Sequence, residues 1–163
     1  MERHLRLDVQ EVALDALLEA LGEAVDDTSQ DDRVARLDAQ APGYAQYHRI
    51  GHKRQAAYRR LAADRAAAHR CYPLVLAALL TDDDPSSPRW LAQVLLTAGG
   101  WRRLQEELVA AMEGGDPLRQ VCAVGAWRWA DAVDGPVTER FLTARREAAV
   151  RCDDPWARER LAD

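Results

Sequence analysis

From Val9 to Leu21 the apolar positions Val9, Val12, Ala13, Ala16, Leu17, Ala20 and Leu21 recur at steps of three and four, which places one apolar face on a first helix. Asp8 precedes that run and Glu11 follows three residues later, a capping-box pattern for its start. From Asp26 to Asp32 the chain turns acidic and poor in apolar residues. The next segment holds Val34 and Leu37 and stops at Ala41, Pro42 and Gly43, so it reads as a connection or a short helix between turns. Tyr47, Ile50, Ala57, Leu61, Ala68 and Tyr72 then approximate one stripe, predicting a second long helix from Tyr44 to Tyr72. Pro73 kinks or ends it, because it has no amide hydrogen and restricts the residue before it.

Beyond Pro73 the pattern repeats. A helix from Pro73 to Leu80 meets Asp82, Asp83, Asp84 and Pro85, and a new helix runs from Pro88 to Ala98 before Gly99 and Gly100. Trp101 to Met112 is again helical, Gly114, Gly115, Asp116 and Pro117 form the next corner, and Leu118 to Ala130 follows. Gly135 and Pro136 open a helix to Val150, and Asp153, Asp154 and Pro155 open a last short one. Asp-Pro suits a helix start: the carboxylate accepts from exposed amides and favours the positive dipole end, while proline is preset at a helical φ. The step is 32 residues from Asp84 to Asp116 and 38 from Asp116 to Asp154. Three such corners, each between apolar helices, constitute an internal repeat.

These residues resemble HEAT repeats: the Asp-Pro corners, and Arg89 then Ala92, or Arg119 then Cys122, in the opening turns after the corners. The resemblance covers residues 66–163, best at the corners of Asp84 and Asp116, and its steps are shorter than that family's usual repeat. It implies antiparallel helix pairs stacked as a short α-solenoid with a concave face for binding, and an arginine such as Arg119 reaching a neighbouring corner. The expected class is all-α: one domain over 1–163, with an acidic helix and connection at 1–43, a basic helix at 44–72 and the helix pairs at 73–163, the first two forming an N-terminal helical extension.

Composition supports that class. Isoleucine, phenylalanine and threonine are scarce while Ala, Leu, Arg and Glu are many, which favours helices over strands. Lys53 is the only lysine, Ile50 the only isoleucine, and asparagine is absent, the usage of a GC-rich bacterial genome. Abundant arginine is therefore weak evidence for phosphate recognition. The longest apolar runs, Pro73 to Leu80 and Val121 to Ala126, fall short of the roughly 20 residues of a membrane span. With no apolar signal core behind Met1 to Leu7, a cytoplasmic location is expected. Cys71, Cys122 and Cys152 are widely spaced and odd in number, so they are expected as reduced thiols, two of them core-filling, rather than a disulfide framework or zinc ribbon.

Candidate chemistry is thin. Arg49, Lys53, Arg54, Arg59, Arg60, Arg65 and Arg70 face only Asp64 in the stretch 49–70, with Tyr44, Tyr47 and Tyr58 interleaved. Arg49, Lys53, Arg54, Arg60 and Arg65 are the candidates for nucleic-acid phosphates, with the tyrosines stacking on bases. The alternatives are that the acidic first helix packs nearby and neutralises them, that they meet an acidic protein, or that they are solvated; the net charge of −5 opposes nonspecific nucleic-acid binding. His48 and His52 share a helix face, and His69 and Cys71 follow, but no carboxylate completes a metal motif and the neighbouring charges are positive. Trp90, Trp101, Trp127, Trp129 and Trp156 all lie in the repeat half. Tryptophan anchors interfaces and also fills volume, so Trp90, Trp127, Trp129 and Arg119 are the protein-binding candidates.

One run, Trp129, Asp131, Val133, Asp134, resembles the Trp-Trp-Asp-Thr-Val-Asp stretch of HEAT-like alkylpurine DNA glycosylases, with Ala130 replacing the second tryptophan. That match would make Asp134 the catalytic carboxylate, beside an aromatic face that suits a cationic base. No Ser-His-Asp set, phosphate-cradling glycine loop or paired glutamate motif accompanies it, and no cofactor or metal is indicated. The expected function is a non-catalytic helical-repeat module that binds another protein as an adaptor, regulator or immunity-type protein. The alternatives are a nucleic-acid-binding or glycosylase-like protein, and a surface for self-association.

Overall fold

The computed structural model describes residues 2–24, 31–130 and 135–162, and among them every regular element is a helix. Two apolar rows compete on α1 (Arg3–Leu21), and leucine decides between them. Leu7, Leu14, Leu17 and Leu18 are buried, whereas Val9 is 44% and Val12 69% exposed. Of the face expected from Val9, Val12, Ala13, Ala16, Leu17, Ala20 and Leu21, Leu17 is buried and Ala13 and Leu21 pack on the core, while Val9, Val12, Ala16 and Ala20 are exposed. The helix is turned towards its leucines, since larger side chains release more apolar area from water when they occupy the core. Leu5 joins Val9 and Val12 in an exposed row. Asp8 lies inside α1, which starts five residues before it, so it does not cap; it accepts instead from Gln46 Nε2 at 2.7 Å. Gly22 ends α1 at φ 66°, a left-handed position that glycine fills without steric cost.

α2 (Asp32–Gln40) is capped by Asp31, which accepts from Arg33 N. The second long helix is divided: α3 (Tyr44–Ala63) and α4 (Arg65–Arg70) are separated by Asp64, at φ −134° and ψ 92°. Asp64 accepts from Ala67 N at 2.9 Å, so a residue that reads as a lone acid in a basic stretch is an N-cap. Pro73 then sits in the first turn of α5 (Tyr72–Leu79), where its missing amide hydrogen costs nothing.

Three helix pairs follow: α5 with α6 (Pro88–Gly99), α7 (Trp101–Glu113) with α8 (Pro117–Trp127), and α9 (Pro136–Arg151) with α10 (Pro155–Ala162). Within each pair the helices pack on one another, α9 packs on α7, and α8 lies between α6 and α10. Asp116 caps α8 through Arg119 N at 2.8 Å and Asp154 caps α10 through Ala157 N at 3.1 Å. The first corner differs, because α6 begins three residues after Pro85 and Asp84 folds the intervening turn by accepting from Ser86 N and Ser86 Oγ. Gly99 lets α6 approach Tyr72: a Cβ there would collide with the Tyr72 ring.

A single apolar cluster runs from Leu7 through Leu79, Leu95 and Leu108 to Leu161, so α1, α3 and α4 share one core with the pairs. Cys71, Cys122 and Cys152 are buried free thiols, and burial pushes the Cys122 thiol well up. Among the described residues no helix is long and apolar enough to cross a membrane.

Candidate interaction surfaces

The basic helix is wired to the acidic one. Arg49 Nε and Lys53 Nζ lie 2.6 and 2.8 Å from Glu11 Oε1, and Lys53 also meets Asp15 at 2.6 Å. Burial alone would raise the Glu11 carboxyl, but hydrogen bonds from Arg49, Lys53 and Gln46 hold it down at about 2. Arg60 meets Glu23 at 3.4 Å and Asp64 at 3.1 Å. Of the five cationic candidates on this stretch, Arg65 alone pairs with no carboxylate among the described residues, and it stands exposed at the start of α4.

Arg54 goes furthest inward. It is 5% exposed, and its Nη2 donates to Asp82 Oδ1 at 2.9 Å. Its Nε is 2.8 Å from Asp82 Oδ2 but off the line of a hydrogen bond, so charge rather than a directed bond holds that side. Ser87 Oγ donates to the same carboxylate at 2.6 Å. Burial pushes the Asp82 carboxyl up, while Arg54 and Ser87 favour its charged form. Arg6 Nε holds Asp83 at 2.7 Å, and Tyr47 Oη donates to Asp84 at 2.7 Å. The first corner is thus bound from α1 and α3. At the second corner, Arg119 is exposed beside Asp116, and its backbone amide makes the capping bond.

The tryptophans separate into packing and surface groups. Trp127 stacks on Phe141 with centroids 3.9 Å apart and planes at 8°, bracing α8 against α9. Trp156 meets two guanidinium groups, Arg6 at 4.0 Å and Arg160 at 5.0 Å from its ring centroid. Trp90 stacks on Tyr58 at 5.8 Å, and both line a hollow of about 350 Å³ with Arg89, Gln93 and Trp129. Trp129 is 38% exposed there. A smaller hollow of about 130 Å³ adjoins through Tyr58 and Gln93 and is edged by Arg65. Sequence reasoning named Trp90, Trp129 and Arg65 separately; their convergence with Tyr58 and Arg89 depends on the packing of α3 and α4 against α6, which no local pattern reports.

His48 and His52 approach at 4.6 Å between ring centroids on α3, and no group of three or more metal-ligating residues forms among the described residues. Asp131, Val133 and Asp134 lie outside the described residues, so the geometry beside Trp129 extends only to Ala130, which is buried and accepts from Gln105 Nε2 at 3.0 Å. No protein-family model, curated protein or solved structure matches this chain.

Proposed function

We propose that this protein is a non-catalytic helical-repeat module, similar to HEAT proteins, that binds another protein through the hollow formed by Tyr58, Arg89, Trp90 and Trp129. The observation that carries this reading is the exposed Trp129 beside a stacked Tyr58–Trp90 pair with Arg89, all in one concavity. Tryptophan, tyrosine and arginine are the residue types that dominate interface hot spots, because each buries a large rigid or planar group while keeping a polar edge. Adaptor, regulator and immunity-type roles all use such a surface.

A photo-crosslinking phenylalanine placed at position 129, with one at the exposed Val150 on α9 as control, tests the reading in cells that express the chain. One discrete protein adduct at position 129, lost on Arg89→Ala and absent at position 150, is the expected result. Equal adduct patterns at the two positions would count decisively against it.

A second reading uses the same hollow for single-stranded nucleic acid, favoured by Arg65 and Arg89 beside three aromatic rings, since bases stack on aromatic faces and phosphates seek cations. The internal pairing of Arg49, Lys53, Arg54 and Arg60 weighs against a long phosphate track. Titration of a labelled oligonucleotide at low salt separates the readings: salt-sensitive binding lost in Trp129→Ala supports the second, and no binding removes it.

A further inference from the structure

A different hollow lies against the first corner. It encloses about 500 Å³, within the roughly 300–1,000 Å³ typical of small-molecule sites. Its floor is one face of α8, where Val121, Val124 and Gly125 follow at helical spacing, with Pro85 and Pro88 beside them and Arg128 just past the end of the helix. One wall is the corner Asp82, Asp83 and Asp84; the other is formed by Arg128, Arg145 and Arg160, drawn from three separate elements.

The two walls do not cancel. Each aspartate is already engaged by other groups: Asp82 by Arg54 and Ser87, Asp83 by Arg6, and Asp84 by Tyr47 and Ser86. Among the described residues the arginines keep unused donors. Arg145 Nε donates to Leu161 O at 2.8 Å, which fixes the side chain and leaves its terminal nitrogens unbonded among the described residues. Arg160 donates one bond from Nη1 to Trp156 O at 3.2 Å and also stacks over that ring, its nearest carboxylate being Glu159 at 3.7 Å. Arg128 makes no hydrogen bond or ion pair with the described residues, and none of the three pairs with the aspartate wall. A guanidinium carries five donors in a planar fork that matches two oxygens of a carboxylate or phosphate.

We propose that this hollow binds a small molecule through an oxyanion, phosphate or carboxylate, held by Arg128, Arg145 and Arg160, with its apolar body over Val121, Val124 and Pro88. The site is independent of the aromatic hollow, so either can fail alone.

Calorimetric titration of the full chain with inorganic phosphate, pyrophosphate and citrate, at matched ionic strength in a zwitterionic buffer, tests the proposal. Saturable binding is expected, weakened roughly tenfold or more in Arg128→Gln and unchanged in Arg59→Gln, a control on the exposed side of α3. Thermal unfolding without ligand verifies that Arg128→Gln still folds. Preference for the phosphates identifies a phosphorylated ligand and preference for citrate a carboxylate one. Absence of saturable binding to all three probes, or superimposable titrations of the two variants, overturns the proposal.

Discussion

Between α3 and α1 with the residues just after it the contact carries a row of ion pairs: Glu11 and Asp15 with Arg49 and Lys53, and Glu23 with Arg60. Between α7, α8 and α9 the buried groups are Leu104, Leu108 and Met112 against Ala123, Phe141 and Ala144, and the buried polar groups are neutral. Gln120 Nε2 donates to Met112 O at 2.8 Å near the end of α7 and Gln105 Nε2 to Ala130 O at 3.0 Å in the turn after α8, so neutral amides satisfy backbone carbonyls where the first half uses charges. The contrast indicates where ligands can act. Cations paired within the chain are poor recognition groups, whereas Arg89 and Arg128, in the repeat half, pair with no carboxylate among the described residues.

The largest expected effect lies where the halves meet. Asp82→Ala should destabilise by about 3–5 kcal/mol, because it leaves Arg54 charged and buried without its partner; the double variant Arg54→Met with Asp82→Leu should recover most of that in thermal or urea unfolding. If the double variant is no better than the single, the corner needs its ion pair for geometry as well as charge. Next, Leu108→Ala should cost about 2–4 kcal/mol by opening a cavity. That loss should be insensitive to salt, whereas wild-type stability gained from the α1–α3 pairs should fall as salt rises.

Glu11 gives a smaller, pH-dependent term. Its folded pKa of about 2 lies below the ordinary 4.5, so its stabilisation is complete above pH 4.5 and disappears as pH falls towards 2. Glu11→Gln should therefore lose on the order of 2 kcal/mol at neutral pH and flatten the acid limb of the stability curve in that window. Asp116→Ala should cost about 1 kcal/mol through the lost cap of α8. Trp129→Ala, at an exposed position, should leave stability within about 0.5 kcal/mol; a larger loss would mean that the ring braces the fold.

The helix pairs were legible because their punctuation is local: Pro73, Pro88, Pro117, Pro136 and Pro155 each fall in the first turn of a helix, and the corner aspartates act within three residues of themselves. The break at Asp64 and the orientation of α1 were not. Asp64 interrupts a stretch whose apolar spacing continues across it, and α1 offers two apolar rows whose ranking depends on what they meet. The candidate sites were legible only as residue types. Periodicity identifies Trp90 and Trp129 as large and Arg54 as basic, but not that Trp129 joins Tyr58 at one hollow while Arg54 is buried against Asp82.

Arg6 spans the molecule: it holds Asp83 of the first corner and lies under Trp156 of α10. An open solenoid lengthens by inserting another pair anywhere in its stack. Here a pair inserted between the first corner and α10 would carry Trp156 away from Arg6, so one side chain ties the spacing of those two turns to each other.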